Sequence, residues 1–266
     1  MARGRVDKAQ NNLLKELKKD VDELKSSVET KYAYINTSTP VDSYSGATAA
    51  TRNDQIFKID IGETQGDGDT QRIGDKITLK HIDLKYRLSI ENPRPSEYNP
   101  AQTTCRIFMF WDNQPNNITS AGATATNEVY WPELLQLALV GTTSDQQKEA
   151  LMVSHKDWDN RKRFSIIYDK THTLSPTFNG AAPLAGSPNE YQQNGLGSRS
   201  CTGINSFSKK YKGQQIRFTA GGSIPNNRQL YFAFLSDVGN VQGSSPSLSA
   251  NRPLITSAIR CLYDDI

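Results

Sequence analysis

Several residue types that often mark a function are scarce in this sequence. Its three cysteines, Cys105, Cys201 and Cys261, are widely spaced and form no CxxC pair, which argues against a disulfide framework or a zinc site. No apolar run approaches the roughly 20 residues that a membrane helix needs. No apolar segment follows the N-terminal arginines, as a secretory signal would require. We therefore expect a folded intracellular protein with reduced thiols, no metal or other cofactor, and no membrane insertion.

Recognisable catalytic motifs are also missing. The three histidines, His81, His155 and His172, are far apart in the chain, and HExxH, GxSxG, P-loop and dinucleotide-binding glycine motifs do not occur. The GDGD segment at 66–69 carries two carboxylates but lacks the spaced ligands of a calcium loop, so it predicts a glycine-rich turn. We expect a protein that is not an enzyme.

Charge is nearly balanced, with 31 Lys and Arg against 28 Asp and Glu and a net charge of +3. Sequence-independent binding of nucleic acid depends on many phosphate contacts, so one copy of a chain with this net charge produces only a weak positive electrostatic field. Many copies facing one cavity could still neutralise a polyanion. The basic clusters that could contribute, each of which could also be ordinary solvated surface, are Arg3, Arg5 and Lys8; Lys15, Lys18 and Lys19; Arg161, Lys162 and Arg163; and Lys209, Lys210 and Lys212.

The N-terminal region, residues 1–31, predicts an amphipathic helix. Its apolar positions are spaced three, four, three and four residues apart, which is typical of a coiled-coil seam. The seam residues are Leu14, Leu17, Val21, Leu24 and Val28. The alternative is a helix that docks on its own domain, but a narrow seam on a charged helix favours self-association. Residues 32–54, rich in Ser, Thr, Ala and Asn, predict a flexible linker.

From residue 55 to 266 the pattern changes to short β-like runs separated by turn residues. The runs lie at 55–61, 75–90, 103–112, 163–171, 204–211, 214–220, 229–236 and 254–263. Eight strands predict a mainly β fold, a single eight-stranded antiparallel jelly-roll sandwich with an N-terminal amphipathic helix. A change of alternation phase near His81 predicts a β-bulge or a bend where the strand changes neighbours. A helix is predicted only at 131–140, where Pro132 suits the first turn.

Five phrases of this β region occur in an order that resembles a known family. They are QRIGDKITLKHIDLKYRLS at 71–89, CRIFMFWDNQP at 105–115, NRKRFSIIYDKTHTL at 160–174, FSKKYKGQQIRF at 207–218 and QLYFAFLSDV at 229–238. Together they resemble the capsid proteins of small circular Rep-encoding single-stranded DNA (CRESS-DNA) viruses. The resemblance implies one jelly roll, about sixty copies closing into a T=1 shell around a circular DNA genome, and a virion assembled inside the host cell, with the nucleus as one option.

The N-terminus departs from that family, whose members often begin with a dense arginine-rich arm. Here the helix is nearly neutral, so it either clamps neighbouring subunits together or contacts DNA weakly. Subunit contacts are expected at the seam and at the aromatic residues Tyr130, Trp131 and Trp158, for which packing within the subunit is the alternative. The expected partners are further copies of the chain and, weakly and without sequence preference, the single-stranded DNA genome. A host receptor cannot be named from the sequence.

A second function class also fits a coiled coil followed by a jelly roll. Trimeric attachment or binding proteins, such as fibre heads or tumour-necrosis-factor-like domains, have this organisation. Valine at two a positions with leucine at d favours two helices over three, which counts against this alternative.

Overall fold

The structure is a computed structural model that describes residues 10–21, 29–41, 55–90, 103–115, 129, 131–136, 152–174, 200–223, 225–237 and 253–265. Residues 10–21 are helical (α1). The strands and the second named helix are β1 (Thr30–Pro40), β2 (Ile56–Ile59), β3 (Lys76–Ile90), β4 (Thr103–Asp112), α2 (Trp131–Leu134), β5 (Phe164–Leu174), β6 (Ser200–Cys201), β7 (Asn205–Arg217), β8 (Gln229–Ser236) and β9 (Pro253–Asp265).

The strands pair in a nested order. The innermost pair is β4 with β5, followed outward by β3 with β7, β2 with β8, and β1 with β9, all antiparallel. This is one long two-armed ribbon. Rolling it brings β9 beside β3 and β8 beside β4, which closes two sheets. Sheet A has the order β1-β9-β3-β7, with the two-residue β6 also beside β3, and sheet B has the order β2-β8-β4-β5. A rolled ribbon of four antiparallel pairs is the arrangement of a jelly roll, so the mainly β, two-sheet part of the prediction agrees with the structure.

The main core lies between the two sheets. Alternate residues of each strand point inward, as a half-buried sheet requires. Sheet A supplies Ile77, Leu79, Ile82, Leu84, Leu88, Ile255, Ile259 and Cys261, and sheet B supplies Cys105, Ile107, Met109, Trp111, Leu230, Phe232 and Phe234. Cys105 and Cys261 are unpaired thiols, and burial raises the pKa of each to about 12. They act as apolar core residues.

Sheet B is buried on its second face as well. The residues of β4 and β8 that point away from sheet A, including Phe108, Phe110 and Tyr231, pack with α2 and with Met152. Both faces of this sheet are therefore covered, which explains why β4 and β8 read as almost continuous apolar runs. Within the described residues, the exposed sheet face is the outer face of sheet A.

The prediction of a flexible linker at 32–54 was partly wrong. Residues 30–40 form β1, which pairs with β9 over its whole length, whereas 42–54 lie outside the described residues. The inward positions of β1 include Lys31, Ala33 and Thr37, so its hydrophobic alternation is too weak to read from sequence. Lys31 is fully buried, where Nζ donates to the carbonyl oxygen of Gln71 at 2.8 Å and lies 3.4 Å from Asp265 Oδ2.

Apart from the two-residue β6, the described strands number eight, as predicted, but they are not the eight predicted runs. The runs at 204–211 and 214–220 are one strand, β7, which passes through Gly213 at φ +76°. At this point β7 and β3 shift register between Leu79 and His81, which confirms the predicted bulge. Lys212 and Gly213, which separate the two predicted runs, therefore mark a bulge within one strand and not a turn between two strands. β1 replaces the strand that the split had added.

The predicted helix at 131–140 is shorter than expected. α2 ends at Leu134, Leu135 forms an isolated bridge with Lys156, and 137–140 lie outside the described residues. Residues 152–153 are also helical, which was not predicted. No helix among the described segments is both long and apolar enough to cross a bilayer.

Candidate functional site

The outer face of sheet A collects positive charge from three strands. Among its described outward positions are eight Lys or Arg side chains and two Asp side chains, a surplus of six positive charges. Because the whole chain has a net charge of +3, the remaining residues together carry −3. We call this surface the basic face. Its basic residues are Lys76, Lys80, Lys85, Arg87, Lys210, Lys212, Arg217 and Arg260, and its acidic residues are Asp83 and Asp264.

Strand register decides which of these charges are neighbours. Asp83 stands between Arg260 of β9 and Ser208 of β7, and His81 stands opposite Lys210. The two acidic residues are already paired: Arg260 Nη2 donates to Asp83 Oδ2 at 2.9 Å, and Lys80 is bonded to Asp264. Among the described residues, Lys85, Lys210 and Lys212 have no carboxylate partner. These exposed lysines are available to an external anion.

A polar network occupies the centre of the basic face. Nε2 of His81 is hydrogen-bonded to Ser208 Oγ at 2.6 Å and lies 3.3 Å from Asp83 Oδ1. Burial would raise the pKa of the Asp83 carboxyl, but hydrogen bonds from Arg260 and Ser208 outweigh it and hold that pKa below its usual value. Asp83 therefore stays ionised and fixes the Arg260 guanidinium on the sheet.

Of the four predicted basic clusters, the fourth contributes Lys210 and Lys212 to the basic face, and the other three lie elsewhere in the chain. Arg3, Arg5 and Lys8 lie outside the described residues. Lys15, Lys18 and Lys19 lie on α1, whose described residues are all exposed. Arg161 and Lys162 are exposed in the turn before β5, and the Arg161 guanidinium lies 4.4 Å from the centre of the Trp158 ring. The described members of these three clusters are not among the outward positions of sheet A.

Arg163 has a structural role that the sequence did not suggest. Its guanidinium donates to Asp112 Oδ2 at 3.1 Å and to Glu133 Oε2 at 3.2 Å, so two carboxylates already neutralise it. It thereby ties the start of β5 to the end of β4 and to α2. Arg106 acts similarly. It donates through Nε and Nη2 to both oxygens of Asp169, at 2.9 and 2.7 Å, and through Nη1 to the carbonyl oxygen of Ser154.

The predicted seam residues are unpartnered where they are described. Leu14, Leu17 and Val21 are between 44% and 62% exposed, and Leu13 beside them is 60% exposed. Leu24 and Val28 lie outside the described residues. The described part of α1 is exposed throughout and is not docked on the sandwich, which was the alternative interpretation of this helix. Its apolar side chains are therefore free to meet another helix.

The predicted aromatic contacts divide into two kinds. Trp158 is 69% exposed and stays a candidate for contact with another subunit. Trp131 is only 2% exposed, and its ring centre lies 5.7 Å from that of Phe108 in the core of its own subunit. Trp131 is therefore a core residue that packs α2 against sheet B, which was the alternative that the sequence left open for it. Tyr130 lies outside the described residues.

A cleft of about 600 Å³ opens beside β1, lined by Tyr34, Asp60, Glu63, Arg72 and Ser223 among others. Burial raises the pKa of Glu63 to about 7, although the Lys58 ammonium lies 2.8 Å from its Oε1. The buried Arg72 donates to the carbonyl oxygens of Gly74 and Gly222. These contacts tie the 61–75 connection, with its predicted turn at 66–69, to 221–222. No group of three or more His, Cys, Asp or Glu in the described part of the chain is placed to hold a metal ion.

Apart from Lys210 and Lys212, sequence reasoning missed the residues of the basic face, because they are distant in the chain. Lys85, Lys210 and Arg260 come from three strands and become neighbours only through pairing. A weak signal was present. In β3 and β7, polar and charged residues alternate with apolar ones, and most of the charged residues are basic. Reading the sign of the polar positions strand by strand would have indicated a basic side on each of these strands, but not that the two sides adjoin.

Comparisons with known proteins give a structural similarity and no sequence match. No protein-family profile and no curated protein matches the chain. Among solved structures, a chain of the cryo-EM structure of mud crab tombus-like virus at 3.3 Å aligns with 89% of this chain and 81% of its own length, at 10% identity and a TM-score of 0.27. At that TM-score the similarity does not establish a common fold, so the jelly-roll assignment rests on strand pairing.

Proposed function

We propose that this chain is the capsid protein of a small circular single-stranded DNA virus of the Rep-encoding kind. About sixty copies would form a T=1 icosahedral shell around the genome. The observation that carries the proposal is the segregation of charge on a jelly roll: one sheet face holds a surplus of six positive charges on a chain whose net charge is +3. A two-sided subunit of this kind suits a shell with a polyanion inside.

The sequence resemblance supports the same function. Its five phrases correspond to β3, β4, β5, β7 and β8, which are framework strands of both sheets. Repeating a modest positive surplus over many subunits multiplies the counterion release that drives binding to nucleic acid. We therefore place the basic face, and not the turn at 161–163, towards the genome. Arg163 in that turn is already neutralised by carboxylates of its own subunit.

Assembly is proposed to use the exposed seam of α1 and the exposed Trp158. Weak contacts repeated around symmetry axes add up to a stable shell. The proposed organisation keeps an assembly segment ahead of the jelly roll, but the jelly roll begins at β1, near residue 30, and not at residue 55. The virion is the proposed location.

Light scattering of the purified protein, with absorbance at 260 and 280 nm on the same peak, tests the proposal. We expect a uniform megadalton species with an excess at 260 nm. Replacing Lys85, Lys210 and Lys212 with glutamine lowers the positive surplus of each face from six to three. We expect the packaged nucleic acid to fall by roughly half as a result.

The matched control replaces Arg161 and Lys162 with glutamine, which removes exposed charge away from the basic face and should leave the 260 nm excess almost unchanged. A dimer or trimer that is insensitive to salt and pH would overturn the capsid proposal, and a trimer would support the stalk-and-head alternative. Shells that keep their full nucleic-acid content in the triple lysine variant would show that the basic face is not the contact.

The α1 seam gives a separate prediction for assembly. Replacing Leu14 and Leu17 with glutamate puts charge into the seam of a coiled coil, where burial of a charge is costly. We expect shells to form only at higher protein concentration, or not at all, while the circular dichroism of the subunit stays mainly β. Light scattering over a concentration series measures this.

The control for the seam replaces Lys15 and Lys18 with glutamine on the polar side of the same helix. Assembly should then be unchanged. If instead the lysine variant loses nucleic acid and the leucine variant assembles normally, α1 contacts DNA and is not a clamp. A deletion made for the same purpose should end before residue 29, because Lys31 belongs to the buried part of β1.

A further inference from the structure

Two tyrosines of β1 stand exposed at the border of the basic face. Tyr32 is 43% exposed and Tyr34 is 54% exposed. They are two positions apart on one strand, so both project outward from sheet A. Within the described residues neither ring has a stacking partner, and neither hydroxyl has a hydrogen-bond partner. Large aromatic side chains usually bury their rings, so this exposed pair calls for an external partner.

The register places this pair next to positive charge. Tyr34 lies opposite Arg260 of β9. Two positions further along β1, Asn36 pairs with Ala258 of β9, which in turn pairs with Lys85 of β3. Neighbouring strands are about 4.8 Å apart, so Lys85 starts about 10 Å from β1. β1 itself carries no charged outward side chain between residues 32 and 40. The face thus has an aromatic border along β1 and a cationic area across β9, β3 and β7.

We propose that Tyr32 and Tyr34 form a base-stacking site for single-stranded nucleic acid, whose phosphates follow the basic face. This inference rests on the proposed function, and it adds a reason why the protein would bind single strands in preference to a duplex. Side chains two apart on a strand are about 6.6 Å apart, close to twice the 3.4 Å separation of stacked bases. One planar base therefore fits between the two rings, in contact with both.

Such a site requires an unpaired base. In a duplex both faces of each base are covered by its neighbours, whereas a single strand can present a base to aromatic side chains. The cleft beside Tyr34 leaves room for the rest of the nucleotide. Its charged lining groups are engaged, since Asp60 and Glu63 face Lys58 and Arg72 is bonded to backbone carbonyls. The phosphates are therefore attracted to the lysines of the basic face and not into the cleft.

The test compares three ligands with the full-length, unassembled chain by fluorescence anisotropy. They are an oligothymidylate, an abasic oligonucleotide of the same length, and a duplex of that length. The abasic strand has the same phosphates but no bases to stack. We expect the oligothymidylate to bind about tenfold more tightly than the abasic strand. Replacing Tyr32 and Tyr34 with alanine should abolish this preference and leave the affinity for the abasic strand unchanged.

Matched variants separate stacking from folding and from charge. Replacing both tyrosines with phenylalanine keeps the rings and should keep the tenfold preference, while Trp158→Ala removes an exposed aromatic elsewhere and should also keep it. The glutamine variant of Lys85, Lys210 and Lys212 should bind all three ligands more weakly. For the single strands, the slope of log affinity against log salt concentration should fall in magnitude by about two.

Each result decides between the two proposals. If the lysine variant weakens binding but the alanine variant keeps the preference for bases, the stacking inference is wrong and the proposed function stands. If the lysine variant leaves the affinity for the abasic strand unchanged, the basic face does not contact nucleic acid and the proposed function loses its main support. If the phenylalanine variant also loses the preference, the hydroxyl groups and not the rings act at this site.

Discussion

Replacing Lys31 with methionine is expected to lower the free energy of unfolding of the unassembled subunit by about 3–5 kcal/mol. The Lys31 side chain is fully buried and compensates Asp265, which is only 5% exposed, at 3.4 Å. Without the ammonium, the carboxylate stays buried and keeps, among the described residues, the backbone N–H groups of Ile73 and Gly74 as partners. Urea unfolding followed by tryptophan fluorescence measures the loss.

Two controls show whether the uncompensated charge is the cause. Adding Asp265→Asn to Lys31→Met removes the orphaned charge and should recover part of the stability. Lys80→Met breaks a pair with Asp264 in which Lys80 is half exposed, and should cost less than about 1 kcal/mol. If Lys31→Met unfolded like the parent, β1 would not be anchored in the sandwich, and residues 30–40 would be the linker that the sequence suggested.

Replacing Trp131 with alanine is expected to cost about 3–5 kcal/mol of subunit stability. The indole fills the second core cluster between α2 and the outer side of sheet B, in contact with Phe108. Its removal leaves a cavity that α2, only four residues long, cannot fill by rearrangement. The loss should appear in unassembled subunits, again by urea unfolding.

The matched variant is Trp158→Ala, which removes the same side chain from an exposed position. Subunit stability should change by less than about 0.5 kcal/mol. Assembly measured by light scattering should weaken, because Trp158 is the aromatic that remains available to a neighbour. If Trp131→Ala left subunit stability unchanged and impaired only assembly, Trp131 would be an interface residue after all.

The strands with strong alternation were predictable from sequence. β3 and β9 carry apolar side chains at alternate positions, and β4 and β8 are almost continuous apolar runs. The predicted bounds of all four agree with the structure within one or two residues. The bulge at His81 was also predictable, since an extra residue shifts the phase of alternation. β1 was not, because an edge strand can be stabilised by its backbone pairing with β9 and by one buried ion pair, with few apolar residues.

The sequence by itself determined that the chain is mainly β, with a helical segment ahead of a two-sheet sandwich, because side-chain periodicity is a local property. Only the tertiary structure decided which residues share a surface. It buried Trp131, engaged Arg163 with Asp112, and brought Lys85, Lys210 and Arg260 together. Strand pairing joins positions as far apart as Lys85 and Arg260, and no pattern along the chain encodes that proximity.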